Sequence, residues 1–182
     1  MTHDVIVGLA ALGVVGQVLV VALVLGLLVA RDRVREALWG YELWAAFVVA
    51  AIATGGSLFF SETAHFIPCE LCWFQRICMY PLAGATLLIA LAGDHGAARF
   101  LLPLPVVGAG VSVYHLLVEN AVVAQAKGCL ISAPGGCATK WIDEFGYMTI
   151  PTLALTAFVL LIIFLALAQA GADDTATLAV DA

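Results

Sequence analysis

The chain has 182 residues, of which 64% are hydrophobic and only 11% are charged, and its formal net charge is −6. Soluble domains carry about 25% charged residues, and a water-soluble fold of this length cannot hide so much apolar surface, so the composition excludes a soluble globular protein. The basic residues form no patch that would bind nucleic acid, and we expect an integral membrane protein.

Five apolar runs follow one another along the chain. They cover residues 5–30, 43–61, 73–93, 100–118 and 150–170, and the only charged residue in any of them is Arg76. Each run approaches or exceeds the ~20 residues that a helix needs to cross the hydrocarbon core of a bilayer. Because a helix satisfies its backbone hydrogen bonds internally, the sequence predicts an all-α membrane protein with five spanning helices.

The first run is predicted to be a retained helix and not a cleaved signal peptide. The leading residues MTHD lack a basic segment, and the run is longer than the ~7–15 apolar residues of a typical signal peptide. Its glycines at positions 8, 13, 16 and 26 either allow close approach to a neighbouring helix or are simply tolerated, and we favour the second interpretation.

The positions of arginine predict the orientation of the chain in the membrane. The segment RDRVRE (residues 31–36) follows the first run, and Arg99 lies between the third and fourth runs. Because basic residues concentrate in cytoplasmic loops, we expect the N-terminus outside and the C-terminus in the cytoplasm. The loops at residues 65–72 and 121–149 then face the extracytoplasmic side.

Four of the five cysteines fall in these two outer loops, as two pairs. Cys69 and Cys72 form the motif CELC, and Cys129 and Cys137 enclose CLISAPGGC. On the predicted topology both pairs face an oxidising compartment, in which disulfides form and persist. The fifth, Cys78, lies inside an apolar run and is predicted to behave as a small hydrophobic residue.

The CELC pair is predicted to lie at a helix start, just after Pro68. Free backbone N–H groups and the positive end of the helix dipole favour a thiolate there. Arg76 follows Cys72 by one turn on the same helix face, where its cation would stabilise a thiolate or hold an anionic ligand. An arginine at membrane depth is costly and usually functional. The alternative is that Arg76 only extends toward the interface.

The second pair is predicted to meet through a turn. The residues between Cys129 and Cys137 include Pro134-Gly135-Gly136, which is turn chemistry and would bring the two thiols together. A disulfide in such a small, exposed loop would be labile, and a structural disulfide is the alternative. A zinc site made of all four cysteines is a further alternative, although this second pair lacks the tight spacing of a zinc knuckle.

Several motifs together resemble the DsbB/BdbC family of membrane disulfide oxidoreductases. The segment PCELCWFQR (residues 68–76) is followed by MYPL, the fourth run ends with YHLL (residues 114–117), and KWIDEFGYMTIPTLAL (residues 140–155) follows the second cysteine pair. The short loop between Cys129 and Cys137 is closer to the BdbC type. The resemblance covers about residues 43–170, which leaves the first helix as an extra element.

The resemblance implies a four-transmembrane-helix bundle core plus one extra N-terminal transmembrane helix. We therefore divide the chain into three parts. These are the extra helix with its basic cytoplasmic loop (residues 1–40), the oxidoreductase core (residues 41–170) and an acidic cytoplasmic tail (residues 171–182).

The resemblance also implies an electron path through the four cysteines. A reduced thioredoxin-fold, DsbA-like extracytoplasmic thiol oxidase would attack the Cys129–Cys137 disulfide at Cys129. Cys137 would then exchange with Cys69, and Cys72 would pass the electrons to a quinone. Each exchange needs a thiolate, an accessible sulfur and a good leaving group. The implied activity is that of a quinone-dependent protein-disulfide oxidoreductase in the cell membrane.

The implied cofactor is a membrane quinone, either ubiquinone or menaquinone, and no metal is implied. Arg76 is well placed to stabilise the negative charge that develops on a quinone oxygen, and His115 would lie near the quinone. Glu119 occupies a position where the family often has glutamine. The alternative function is a non-enzymatic membrane module with structural disulfides or a four-cysteine zinc site.

Overall fold

The computed structural model describes residues 2–180, and it describes only the backbone at residue 132 and at residues 173–180. Eight α-helices lie within these residues, and this part of the chain contains no β-strand. The helices are α1 (Thr2–Val29), α2 (Arg31–Leu38), α3 (Glu42–Leu58), α4 (Glu70–Ala92), α5 (Ala98–Leu101), α6 (Pro103–Glu119), α7 (Lys127–Ser132) and α8 (Ile150–Val180).

Five helical segments are long and apolar enough to cross a membrane. They are Thr2–Val29, Glu42–Thr63, Glu70–Ala92, His95–Glu119 and Ile150–Ala172. This confirms the predicted all-α membrane protein with an extra N-terminal helix. Each span is longer than its apolar run because the helix continues into the flanking residues. The predicted acidic tail forms the end of α8 as far as Val180, and residues 181–182 lie outside the described residues.

Two of the spans depart from a regular, continuous α-helix. The second span ends in a π-helical turn, Phe59–Thr63. The fourth span is divided into α5 and α6 because Pro103 has no N–H to continue the hydrogen bonds of the preceding turn. The RDRVRE segment, predicted as a loop, instead forms most of α2.

The four C-terminal spans form a closed ring around one core. Helix α3 packs against α4 and α8, and α6 packs against the same two helices. Leu82, Phe158 and Leu165 are fully buried at the centre. Gly108 on α6 lies directly against the Phe158 ring, which leaves no room there for a Cβ atom. This close approach holds α6 against α8 and closes the ring.

Helix α1 packs outside the ring, against α8. A Cβ atom at Gly13 would collide with Leu153, and one at Gly16 would lie 3.0 Å from Thr156 Cγ2. The interpretation that these glycines are merely tolerated is therefore wrong at both positions, because each allows α1 to approach α8. It holds at Gly8, where nothing lies within 4 Å.

Both cysteine pairs lie at the same end of the bundle. The two loops that carry the cysteine pairs fold onto the ends of α4 and α6 and form a small buried cluster that is separate from the main core. Its members are Cys69, Leu71, Val118, Cys129, Ala133 and Cys137, with Cys72 packed against them. Cys78 belongs to the main core instead and is a free thiol, as predicted for a small hydrophobic residue.

Candidate redox site

The CELC pair lies at the start of α4, where the sequence predicts it. Cys69 is the N-cap residue, with extended backbone angles of φ −74° and ψ 172°. Its sulfur accepts a hydrogen bond from the backbone N–H of Cys72, at 3.3 Å. Serine, threonine, aspartate and asparagine usually fill this position with an oxygen acceptor. Here the sulfur of Cys69 fills the same role, which favours its anionic form.

The two sulfurs of this pair are in direct contact as free thiols. Cys69 Sγ and Cys72 Sγ lie 2.8 Å apart. The hydrogen bond from the Cys72 thiol lowers the pKa of Cys69 to about 4, with smaller contributions from His115, and these effects outweigh the opposing effect of burial. In the reduced pair Cys69 is therefore the thiolate, and Cys72 holds the proton that lies between them.

The second pair forms a disulfide, Cys129–Cys137. As predicted, a turn brings the two residues together, and Gly135 and Gly136 take positive φ angles of 80° and 73°. The backbone N–H of Cys137 donates to Gln125 Oε1 at 3.0 Å. The sequence predicts an exposed disulfide, but Cys129 and Cys137 are 0% and 1% exposed, because the loop folds back onto the ends of α4 and α6.

This bond also bears on the four-cysteine zinc alternative. Zinc is bound by deprotonated thiolates, whereas the sulfurs of Cys129 and Cys137 are joined to each other. The structure instead brings Cys69, Cys72 and His115 together, with one ligand atom from each lying within 4.8 Å of the others. Such a group could hold a metal ion, but structural zinc sites take four protein ligands.

His115 lies between the two cysteine pairs. Its Nε2 is 3.7 Å from Cys69 Sγ and 3.0 Å from the carbonyl oxygen of Cys137. The side chain is 3% exposed, and Nδ1 has no hydrogen-bond partner in the described part of the chain. The ring can therefore donate from Nε2 toward either pair and keep a second nitrogen free to bind a proton.

Arg76 is held by α3. Its Nε donates to Ser57 Oγ and a terminal N–H donates to the Ser57 carbonyl oxygen, both at 3.0 Å. Its guanidinium also lies over the Trp73 ring, 5.3 Å from the ring centre. Tyr80 OH contacts Ser57 Oγ at 3.2 Å. The head group is thus fixed between α3 and α4, with donor groups left over for a further acceptor.

A cavity of about 290 Å³ opens beside this arginine, enclosed by α1, α3, α4 and α8. Cys72, Gln75 and Arg76 place polar groups in its lining. Much of the remaining lining is aliphatic, including Leu19, Val49, Ile52, Leu153 and Leu160. His115 is absent from the lining and contacts the Cys69 side of the pair instead, so its predicted proximity to a quinone stays a prediction.

Three polar residues that the sequence interpretation missed support this arrangement, namely Ser57, Gln75 and Ser112. Ser57 holds Arg76, as described above. Gln75 Nε2 donates to Ser112 Oγ at 3.1 Å, which links α4 to α6 beside the pair. The sequence does contain a signal that could have identified them, because each of the three is a polar residue inside an otherwise apolar run.

A second, small pocket lies beside the CELC pair and is lined partly by the loop that follows the second pair. Cys69, Cys72 and His115 line it together with Glu119 and Lys140. The carboxylate of Glu119 is buried, and its Oε1 lies 4.0 Å from Lys140 Nζ. The structure therefore places Glu119, the departure from the family pattern, in the same pocket as His115.

Comparison with known proteins finds a family and relatives named for disulfide bond formation. The sequence profile of the family described as "Disulfide bond formation protein DsbB" matches residues 41–168. "Disulfide bond formation protein C" of Bacillus subtilis is 45% identical over 126 residues, which cover 69% of this chain and 90% of the relative. A "Probable disulfide formation protein" of Deinococcus radiodurans is 42% identical, with 68% and 86% covered. No solved structure gives a significant match.

Proposed function

Because the chain belongs to the DsbB family of disulfide bond formation proteins, we propose that it is a quinone-dependent protein-disulfide oxidoreductase. It reoxidises a DsbA-like thiol oxidase and passes the electrons to a membrane quinone, which supports disulfide formation in exported proteins. One observation carries the proposal. The CELC pair lies between a disulfide on one side and an apolar cavity containing Arg76 on the other.

The first half of the reaction is thiol–disulfide exchange. The partner's thiolate attacks Cys129 and the Cys129–Cys137 bond breaks, releasing Cys137 as a thiolate. Cys137 then attacks Cys69 of an oxidised CELC pair and releases Cys72. The partner's second thiolate displaces Cys129 and completes the partner's own disulfide. The freed Cys129 then attacks Cys137, which breaks the Cys137–Cys69 bond, releases Cys69 and restores the Cys129–Cys137 bond. Free Cys69 and Cys72 beside an intact Cys129–Cys137 bond, as in this structure, correspond to the end of this half-reaction.

The second half reoxidises Cys69 and Cys72. A membrane quinone, when bound, supplies a lipid-soluble acceptor for two electrons and two protons. The cavity fits such a molecule because it is largely apolar and has the Cys72 thiol and the Arg76 cation in its wall. Arg76 stabilises negative charge on an acceptor oxygen. The Cys69–Cys72 bond forms as the pair, one thiolate and one thiol, loses two electrons and one proton. The second proton that the acceptor needs comes from solvent, and hydroquinone is the product.

His115 is proposed to serve the exchange step. Its Nε2 lies close to both Cys69 and the Cys137 backbone, so it can stabilise the thiolate that leaves when Cys69 changes partner. Its unpartnered Nδ1 can hold the proton that must move when the charge appears. A role in quinone protonation remains a prediction, which the variant His115→Phe can test.

The partner is proposed to reach Cys129 by displacing α7. Cys129 is fully buried, whereas Leu130 and Ile131 beside it are 59% and 87% exposed. These two side chains offer an apolar contact surface for a thioredoxin-fold protein. Since α7 has only six residues and ends in an extended residue, few hydrogen bonds oppose its movement.

The proposed orientation places both cysteine pairs and the N-terminus outside, with α2 and the C-terminus in the cytoplasm. A membrane-impermeant thiol reagent applied to intact cells tests it. Ile131→Cys should be labelled from outside and Arg33→Cys only after the cells are opened. The reverse pattern would exclude the proposed orientation.

The activity is tested with purified full-length protein, a quinone and a reduced thioredoxin-fold thiol oxidase, by following quinone absorbance. The protein should catalyse quinone reduction, and Cys72→Ser should abolish it while leaving the Cys129–Cys137 bond intact. Cys78→Ser is the matched control and should retain full activity. Quinone reduction that survives in Cys72→Ser would rule out the proposed electron path.

The zinc alternative is separated by metal analysis of the same protein. The oxidoreductase proposal expects a metal-free preparation in which Cys69 and Cys72 are interconverted between thiols and a disulfide by the partner and quinone. Bound zinc at one ion per chain, lost in His115→Ala and accompanied by no quinone reduction, would favour the non-enzymatic alternative.

A further inference from the structure

Helix α1 lies outside the segment that the DsbB family profile matches, which begins at residue 41, yet it forms part of the cavity. Six of the residues that line the cavity belong to α1. They are Leu9, Leu12, Gly13, Val15, Gly16 and Leu19. Together they occupy about three turns of the helix.

The contacts of α1 show that it bridges two helices of the ring. On one side, Leu9 lies against Gly56 of α3, where a Cβ atom would be 3.4 Å from Leu9 Cδ2. On the other side, Gly13 and Gly16 lie against Leu153 and Thr156 of α8. The cavity lies between these contacts, so α1 covers the groove where α3 and α8 meet on the outer surface of the ring.

A polar residue fixes the position of α1 along α8. Gln17 is the only polar side chain in the apolar run at residues 5–30. Its Nε2 lies 3.5 Å from Thr156 Oγ1, and its Oε1 accepts a hydrogen bond from Tyr147 OH at 3.0 Å. A polar side chain within the bilayer usually satisfies its hydrogen bonds against a neighbouring helix. These bonds set which α1 residues face the cavity.

We propose that α1 is the lateral wall of the acceptor site, that it contacts the apolar tail of the quinone, and that it thereby helps to select the quinone. This inference rests on the proposed function. Helix α4 supplies more of the polar lining residues than any other helix, namely Cys72, Gln75, Arg76 and Tyr80, so the quinone head is expected beside α4. The α1 side chains in the lining are all apolar, and they can contribute only apolar contact.

Two leucines of α1 provide a matched test. Leu12 lines the cavity, and Leu25 does not, while their exposed fractions are nearly equal at 53% and 56%. Leu12→Trp narrows the cavity, and Leu25→Trp places the same side chain on the same helix outside it. The full-length variants are assayed with dithiothreitol as reductant, after subtraction of its direct reaction with the quinone. The acceptors are menadione, which has no tail, and menaquinone-4, with decylubiquinone as the benzoquinone counterpart.

The expected result is a KM for menaquinone-4 and decylubiquinone that rises about tenfold in Leu12→Trp, with a much smaller change for menadione. Leu25→Trp should match the wild type with all three acceptors. Leu12→Ala, compared with Leu25→Ala, provides a second pair in case the larger side chain disturbs folding, and it should raise the KM for the tailed quinones by removing contact.

The two possible failures are distinguishable. Equal KM values for the Leu12 and Leu25 variants, with an active wild type, would overturn the role of α1 and leave the proposed function standing. A wild type that reduces none of the three quinones would overturn the proposed function itself. An intact Cys129–Cys137 bond and an unchanged helical circular dichroism spectrum show that each variant is folded.

Discussion

The CELC pair and the loop pair lie in the same buried cluster, but their backbones favour different redox states. Cys69 and Cys72 occupy a helix start, where an amide N–H, the second thiol and His115 all stabilise a thiolate. Cys129 and Cys137 lie on either side of a glycine-rich turn and form a disulfide. A pair whose reduced form is stabilised is the stronger oxidant, so electrons should flow from the loop pair to the CELC pair.

The two cysteines of the CELC pair also differ from each other in their surroundings. Cys69 contacts His115, whereas Cys72 is the cysteine of the pair that lines the apolar cavity beside Arg76. On the proposed electron path, each cysteine therefore has its own neighbours for its own half-reaction. Substitutions on one side should leave the chemistry of the other side intact.

The largest expected effect on turnover comes from removing Cys69, which links the two cysteine pairs in the proposed exchange path. Cys69→Ala should abolish turnover because Cys137 then has no disulfide to attack, and the reduced partner should accumulate as a mixed disulfide with Cys129. Non-reducing gel electrophoresis detects this species. Cys78→Ala, which alters a cysteine of the main core, should turn over normally, and normal turnover in Cys69→Ala would contradict the exchange path.

Removing the Arg76 cation should slow only the reaction with quinone. Arg76→Met should lower kcat for quinone reduction by about 10²–10³-fold, the effect of losing one electrostatic stabiliser of a developing oxyanion. The rate of exchange between the reduced partner and the protein, measured by rapid acid quench without quinone, should not change. Arg99→Met removes an arginine that lies over the Phe100 ring and serves as the control. Equal losses in both half-reactions would indicate a structural role for Arg76.

Removing the imidazole should affect chiefly the loop side. His115→Phe should slow exchange between Cys137 and Cys69 by about 10–100-fold, as expected for the loss of a hydrogen bond to a charged group. The KM for quinone should stay close to the wild-type value. A large rise in that KM with unchanged exchange would place His115 at the quinone instead.

The smallest effect is a shift in the titration of Cys69. Its pKa of about 4 means that the thiolate persists as the pH falls from neutrality, and that the stability it contributes, fully present above its ordinary pKa, is lost as the pH falls toward 4. Cys72→Ala removes the main hydrogen bond and should raise this pKa. Ultraviolet thiolate absorbance of the reduced protein, taken as a difference from Cys69→Ala, measures the midpoint. An unchanged midpoint would show that Cys72 does not stabilise the thiolate.

Features that depend only on residues close together in the chain were predictable from the sequence. The apolar runs located all five spans, Pro68 and CELC located the start of α4, and Pro134-Gly135-Gly136 located the turn that joins the loop pair. The interpretation of the glycines in α1 was wrong at Gly13 and Gly16, since a glycine in a membrane helix looks the same whether it faces lipid or another helix.

The sequence by itself determined that this is a five-helix membrane protein with two cysteine pairs, because hydrophobic length, proline and glycine act over a few residues. Only the tertiary structure decided that His115, 46 residues from Cys69, contacts its sulfur, that Ser57 holds Arg76, and that α1 encloses the cavity. These contacts depend on how whole helices rotate and pack against one another. That packing is set by many shape-complementary contacts at once, and no short stretch of the chain encodes it.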